Sequence, residues 1–470
     1  MKFTFIASEQ FYFFGAYYST KGFLCHDSGI SLPAYGYNNH YTFFLDENFC
    51  KKYEIKLWNK ALKDYSFLNK IKEKITFLEK GFIKRVQKIN LEQLTSRQLF
   101  DLYKLVYNFF IYYEAEANPI ARLLDHYGLT VIRKQLSNVK IPDVDYAVTV
   151  LVTSSKPSYL GKEQQIFWQG MLKYKNQSVR NKFIQRHLKN FAYVTRSFYD
   201  EPVLTEQELN NRIKKTPSVL WEEKAEEIEK SIKKSLIEKK KLIKTLKLSK
   251  NILKSAEVLQ KSTELKDYIR GSLSKIWYHS EVVFEEIAKR METSVLVVKT
   301  LLVEELKQSL INHVPLNKKI IQARLNGPIL FLPTKKRTMI YYGDKAEKLI
   351  SRHFKNSQKI PTIEFRGRPV SRGIAMGKVR VINNLTEAKK ILRGEILVVS
   401  NTYPAFVPYL KRVKGIIAEV GGATVHVAII ARELSLPCII GITNAREIFK
   451  NGEIVKIDAN HGIVRRLNRR

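Results

Sequence analysis

Cysteine is scarce. Cys25, Cys50 and Cys438 are the three in 470 residues, and they stand far apart. No C-x-x-C occurs, so the spacing gives no disulfide framework, and a reducing cytoplasm is the expected compartment. H-x-x-x-H and HExxH are missing too, so a protein-bound metal is not expected. No uncharged apolar run reaches the roughly 18 residues that argue for a membrane helix. The opening "MKFTFIASEQFYFF" is too short an apolar run for a secretory signal, and Glu9 interrupts it. Acidic residues are in the minority, 45 against 81 Lys and Arg, which leaves a net charge of +36. A polyanion is one reading of that excess. Yet the lysines lie on interleaved helical faces such as "EKAEEIEKSIKKSLIEKKKLIKTLKLSK" (223–250), with no zinc-finger spacing and no RNP-like aromatic motif. Nucleic acid is therefore the weaker reading. The basic surface equally suits a phosphorylated substrate or an acidic partner.

What is present divides the chain into three, within the size range of two or three domains. Residues 1–48 are rich in aromatic and β-branched residues, as in "KFTFIAS", "QFYFFGAYYS" and "HYTFFLD", and predict short strands. Residues 49–355 predict a large, mainly helical domain. "KLWNKALKDYSFLNKIKEKITFLEKGFIKRV" repeats its apolar residues at steps of three and four, and Thr95 or Ser96 can cap the helix of "RQLFDLYKLVYNFFIYYEAEA". "VDYAVTVLVTSSKPSYL" predicts an extended interruption with a turn at Pro157, and a long basic helix is expected over about 219–260. His126, His187, His279 and His353 are expected in core or surface roles, with a pocket-lining role the alternative for His187. His461 is expected in a turn, and the aromatics between 98 and 130 in the core of the helices.

After a polar, proline-containing linker near 355–365 the period changes. "GKVRVIN", "EILVVS", "GIIAEV", "PCIIG" and "EIVKIDA" are strand-like, and "TEAKKIL", "PAFVPYLKRV" and "VHVAIIAREL" between them are helix-like. That alternation predicts a compact α/β domain over 362–470. In its last helix Val427, Ile430, Ala431 and Leu434 form one apolar stripe, and His426 comes just before it. Thr424 can cap the helix, while Gly421 and Gly422 let the backbone approach a ligand closely. A helix N-terminus attracts anions, and a neutral imidazole nitrogen is a nucleophile. The pattern therefore suits a histidine that carries a phosphoryl group.

"GGATVHVAIIARELSLPCIIG" (421–441) resembles the signature of the phosphohistidine swivelling domain, or mobile domain, of phosphoenolpyruvate-utilising enzymes, the family of phosphoenolpyruvate synthase, pyruvate phosphate dikinase and rifampicin phosphotransferase. The residues that carry the likeness are Gly421, Gly422, Thr424, His426, Ala428, Ile429, Ala431, Arg432, Glu433, Pro437 and Gly441. "GRPVSRGIAMGKVRVI", Thr402, Pro404 and Pro408 in "GEILVVSNTYPAFVPYL", and "GEIVKIDANHGIV" extend it over about 362–467. Val425 departs from the Ser or Cys that the family has beside the histidine.

The resemblance implies a multi-domain α and α/β protein whose C-terminal (β/β/α) domain swivels. It implies His426 as the phosphorylated residue, Gly421, Gly422 and Thr424 around the phosphate, and Arg432 and Thr402 in support. No ATP-grasp loop is legible before residue 360 and no pyruvate barrel follows. ATP and Mg²⁺ are therefore expected through a partner, an ATP-grasp protein like the N-terminal part of pyruvate phosphate dikinase. A small molecule bound by the helical domain is the expected acceptor. "LVTSSKPSYLGKEQQIFWQGM", "RHLKNFAYVTRSFYDEPVLTEQEL" and "VVFEEIAKRMETSVLVVKTLLVEEL" carry a more diffuse likeness to the segment that precedes the mobile domain in relatives. The implied activity is that of a phosphotransferase component in the cytoplasm. A binding or regulatory protein that keeps the mobile fold without turnover is the alternative.

Overall fold

A computed structural model describes residues 3–10, 34–37, 40–174, 176–196, 203–326, 328–333, 338–354, 364–383, 385–400, 402, 406–419, 426–442 and 445–467. The linker expected at 355–365 lies almost wholly outside them. The chain forms two compact units, residues 1–60, 66–123 and 272–360 in one, and 61–65, 124–271 and 361–470 in the other. Among the described residues no helix is long and apolar enough to cross a membrane.

The first unit contains an antiparallel sheet. Strands β1 (Phe3–Gln10), β2 (Ala34–Tyr37) and β3 (His40–Asp46) come from the aromatic N-terminal stretch. Strands β4 (Ile329–Pro333) and β5 (Thr338–Tyr342) come from within the stretch read as helical, and the order is β1-β3-β2-β4-β5. The helix Gly343–Phe354 covers β4 through Ala346 and Ile350 against Leu330. In the helical part Thr95 caps Ser96–Tyr112 and forms a capping box with Gln98. The aromatics of that helix are core, as expected: Phe110 stands 5.5 Å from Trp277, which stands 5.6 Å from Phe284.

Two readings of the helical stretch are corrected. The run expected to be extended is a helix, Val144–Leu151, capped by Asp143, whose carboxylate accepts the Tyr146 amide. Its β-branched residues favour a strand, but Ala147 through Leu151 are all buried, and burial on every side outweighs the propensity. The long basic helix is two helices, Trp221–Leu246 and Lys250–Arg290, separated where Lys247 turns left-handed at φ 46°. Lysine is not a usual residue for that conformation, which is why the break is not legible.

The second unit carries an eight-stranded sheet. Its strands are β6 (Glu364–Arg366), β7 (Arg368–Ser371), β8 (Ile374–Ile382), β9 (Ile396–Val399), β10 (Gly415–Ala418), β11 (Cys438–Ile440), β12 (Ile454–Asp458) and β13 (Ile463–Arg466). The order is β6-β13-β12-β8-β9-β10-β11-β7, with β8 to β11 parallel and the rest antiparallel. β9, β10 and β11 are buried at every position, as their unbroken apolar runs require of parallel strands covered on both faces. Ile396, Val398, Ile417, Ile439, Val455, Ile457 and Val464 centre the core.

β6 and β7 stand at opposite ends of that order, although Gly367 alone separates them. The sheet therefore curls until its two edges meet at this residue. A Cβ on Gly367 would lie 2.5 Å from Ile439 Cγ2 and 2.7 Å from the Ile440 carbonyl oxygen. Gly367→Ala is expected to cost about 1–3 kcal/mol by overpacking. Gly441→Ala, at φ 78° but in open space, costs only the backbone strain, about 1 kcal/mol. Urea midpoints of the two variants check the order.

Candidate active site

The pairing of β9 with β10 positions the site. Ile396 to Val399 run parallel to Gly415 to Ala418 in direct register, so both strands end at one edge. Ligands in open α/β sheets bind at that carboxyl edge. Thr402, just beyond β9, is buried there. Beyond β10 come Glu419, the stretch 420–425 and His426, the first residue of the helix His426–Glu433. Gly421, Gly422 and Thr424, the expected phosphate cradle, lie outside the described residues, as do Val425 and Pro404.

The helix forms where the apolar stripe predicts. Val427, Ala428, Ile430 and Ala431 are buried, and the helix packs on β7 and β11. It ends in a left-handed turn at Ser435 (φ 52°), where the Leu436 amide reaches back to the Ala431 carbonyl. Its free N–H groups are therefore at the histidine end, on the carboxyl edge of the sheet. Arg432 is in the last turn, six residues or about 9 Å farther along the axis. Burial pushes its pKa down to about 10, against the opposing charges of Glu433 and Cys438. The structure thus brings Thr402 and His426 to one edge of the sheet and leaves Arg432 at the far end of the helix.

Sequence reasoning missed the clamp below this loop. The Glu419 amide donates to the Val399 carbonyl. Its carboxylate, almost fully buried, accepts the Arg446 backbone amide at 2.8 Å and the Arg446 Nε–H at 2.9 Å, and Arg446 Nη1 also reaches Asn383 Oδ1 at 3.4 Å. Three segments beyond β8, β10 and β11 are tied at the residue that follows β10 on the way to His426. Glu419 could have been noticed for its place directly before the two glycines. Nothing local marks Arg446, 27 residues on, as its partner.

His187 belongs to a different cluster. Its Nε2 lies 2.9 Å from Glu163 Oε1, and Arg212 Nη1 binds the same carboxylate at 2.8 and 3.1 Å. Phe191, Phe167 and Phe183 surround the ring at centroid distances of 4.8, 5.3 and 5.6 Å. Burial pushes the Glu163 carboxyl up, but Arg212 and His187 together hold it below its ordinary value. The arrangement is a packed core ion pair, the core role expected for His187. Among the described residues no group of three or more His, Cys, Asp or Glu could hold a metal ion.

Residues 391–462 match the family model for the PEP-utilising enzyme, mobile domain. A probable phosphoenolpyruvate synthase of Methanothermobacter thermautotrophicus is 46% identical over 99 residues, 21% of this chain and 14% of that protein. The phosphoenolpyruvate synthase of Aeropyrum pernix is 42% identical over 100 residues, 21% of this chain and 12% of its own. The rifampicin phosphotransferase of Bacillus subtilis is 26% identical over 269 residues, 56% of this chain and 27% of its own. The last match is longer than 361–470, so it takes in part of the helical region. This chain thus spans about an eighth to a quarter of the length of these curated relatives.

Two outcomes follow from the site. Arg446→Ala removes the guanidinium from the buried Glu419 carboxylate, leaves it the backbone amide of residue 446, and is expected to destabilise the chain by about 1–3 kcal/mol in urea unfolding. The Cys438 thiol, fully buried and held above its ordinary value by that burial against the pull of Arg432, is expected to stay unalkylated by iodoacetamide at pH 8 until denaturant is added. Peptide mass spectrometry reads this directly.

Proposed function

We propose that this chain is a phosphotransferase component in which His426 carries a phosphoryl group between two sites. The observation that supports this most is the coincidence of two things. The mobile-domain family match spans His426, and His426 begins a helix at the carboxyl edge of four parallel strands. In the first transfer an imidazole nitrogen attacks phosphorus, and an N–P bond forms as the donor's P–O bond breaks. In the second an acceptor oxygen attacks, the N–P bond breaks, and its electron pair returns to the ring. Backbone amides at the helix start, with Gly421, Gly422 and Thr424, hold the phosphate oxygens between the two steps. Thr402 supports the same edge.

The donor in this reading is ATP with Mg²⁺ in an ATP-grasp module on a partner chain, and the acceptor is a small molecule taken by the helical region. Phosphoenolpyruvate synthase and rifampicin phosphotransferase give two precedents for acceptor class. Separated donor and acceptor sites require the carrier domain to move, and residues 355–365 are the proposed hinge. A cytoplasmic location suits an ATP-dependent donor. The second reading, a binding protein that keeps the fold without turnover, draws on Val425 beside the histidine and on the lack of a legible ATP-grasp loop before residue 360.

The test is intact-protein and peptide mass spectrometry under alkaline conditions, after incubation with Mg-ATP and an ATP-grasp protein of the same genome. One acid-labile phosphoryl group on the 419–433 segment, lost in His426→Ala, is expected. No phosphoryl group with any such partner overturns the carrier reading in favour of the binding protein.

A further inference from the structure

One helix of the second unit separates its charges by sign. Trp221–Leu246 buries Trp221, Ala225 and Ile228 and turns its other side to water. On the exposed side the first turns carry Glu222, Glu223, Glu226 and Glu229. From residue 230 onward the sign changes. Lys233, Lys234, Lys240, Lys241 and Lys244 are exposed, and so is Lys247 in the left-handed turn that ends the helix. At about 100° per residue the first five lie within about 60° of the direction of Ile237. The strip from Lys233 to Lys244 is about 17 Å long. Ile237, 68% exposed, stands in its middle. The single acid between residues 230 and 250 is Glu238, half-buried and about 100° round the helix from Ile237.

Ordinary helix electrostatics explain part of this pattern. Glu226 pairs with Lys230 at 2.7 Å and Glu229 with Lys233 at 2.9 Å, each one turn on. A helix C-terminus attracts cations, but only over its last turn, which holds Lys244. Lys234, Lys240, Lys241 and Lys247 are left over. Among the described residues none of the four has an ion pair or a hydrogen bond. Lys240 and Lys241 also stand four and three residues from Lys244, spacings at which like charges repel. A surface that serves solubility alone interleaves both signs.

The chemistry of the strip selects among anionic partners. A membrane surface requires an apolar helix face turned to lipid, and here that face is buried within the unit. A protein partner requires a dry apolar centre, for which the strip offers Ile237 alone. A nucleic acid requires neither, because a row of cations displaces the counterions condensed on its phosphates. Single strands are held by stacking on aromatic side chains, and this strip has none. Zinc-finger and RNP-like motifs read bases, whereas contacts to phosphate carry no sequence information.

We propose that the lysine face of residues 233–247 binds the phosphate backbone of a nucleic-acid duplex, without regard to sequence. The site is distinct from the His426 edge, and the carrier reading neither requires it nor is required by it.

The test measures fluorescence anisotropy of the full chain with two DNA duplexes of unrelated sequence over a range of salt. Equal affinities are expected, with Kd about 1–100 μM near physiological salt. Five or six phosphate contacts give a slope of log K against log salt of about −5. Replacing Lys234, Lys240, Lys241 and Lys244 by Gln is expected to weaken binding to both duplexes alike and to lower the slope by about 4. The control replaces Lys378, Lys389, Lys390 and Lys456 by Gln, four exposed lysines elsewhere in the unit, for the same change in net charge. It is expected to move the slope by less than about 1. Ile237→Lys is expected to tighten binding and steepen the slope by about 1, whereas it would weaken an apolar protein contact. All these positions are exposed, and circular dichroism checks that each variant folds. Equal losses in the strip variant and the control overturn the proposal, as does a Kd above about 1 mM near physiological salt. Tighter binding to poly-L-glutamate or to phosphatidylserine vesicles than to duplex overturns it in favour of an acidic protein or a membrane. A sedimentation dimer of the chain that the four strip substitutions abolish overturns it in favour of a second copy.

Discussion

The direct register of β9 with β10 is the constraint on which the rest of the site depends. Four parallel strands can only be joined by connections that leave one edge and return to the other. Every segment that follows a strand here therefore starts from the same side of the sheet. That places Thr402, Glu419 and the start of the histidine helix together, although the chain separates Thr402 from His426 by a helix and a strand. The Glu419–Arg446 clamp then fixes the point of departure of the loop. A buried carboxylate with two charge-assisted hydrogen bonds has few alternative positions, so Glu419 is held firmly at the end of β10.

The other end of the same helix is held differently. At the histidine end the neighbouring acid is fully paired with an arginine. At the Glu433 end the Ser158 hydroxyl donates to the carboxyl, Arg432 stands beside it, and Lys224 pairs with the nearby Glu227.

How much of this was legible in the sequence depended on the range of the interactions. Five strands of the C-terminal sheet were legible, the parallel ones because burial on both faces needs unbroken apolar runs, as in "EILVVS" and "PCIIG", whereas the short, arginine-bearing strands β6, β7 and β13 were not. The histidine helix was legible from the stripe of Val427, Ile430 and Ala431. The helix Val144–Leu151 was not, since its β-branched residues speak for a strand and only tertiary burial decides otherwise. Nor was the left-handed break at Lys247. Within the site, His426 announces itself by its neighbours in the chain. The partners Glu419–Arg446, Ser158–Glu433 and Glu163–Arg212 do not, because each pair is joined only by the fold. Charge alone was a poor guide: many lysines of the helix Trp221–Leu246 are exposed or paired with glutamates one turn away, such as Lys230 with Glu226.

The claim at the centre is a bond between phosphorus and an imidazole nitrogen of His426. Phosphorus–nitrogen coupled NMR of the chain labelled with nitrogen-15 histidine, after exposure to Mg-ATP and the ATP-grasp partner, tests it most directly. The carrier reading predicts one phosphorus resonance coupled to a ring nitrogen and absent from His426→Ala. A phosphorus signal that persists in that variant, or none at all, would contradict it.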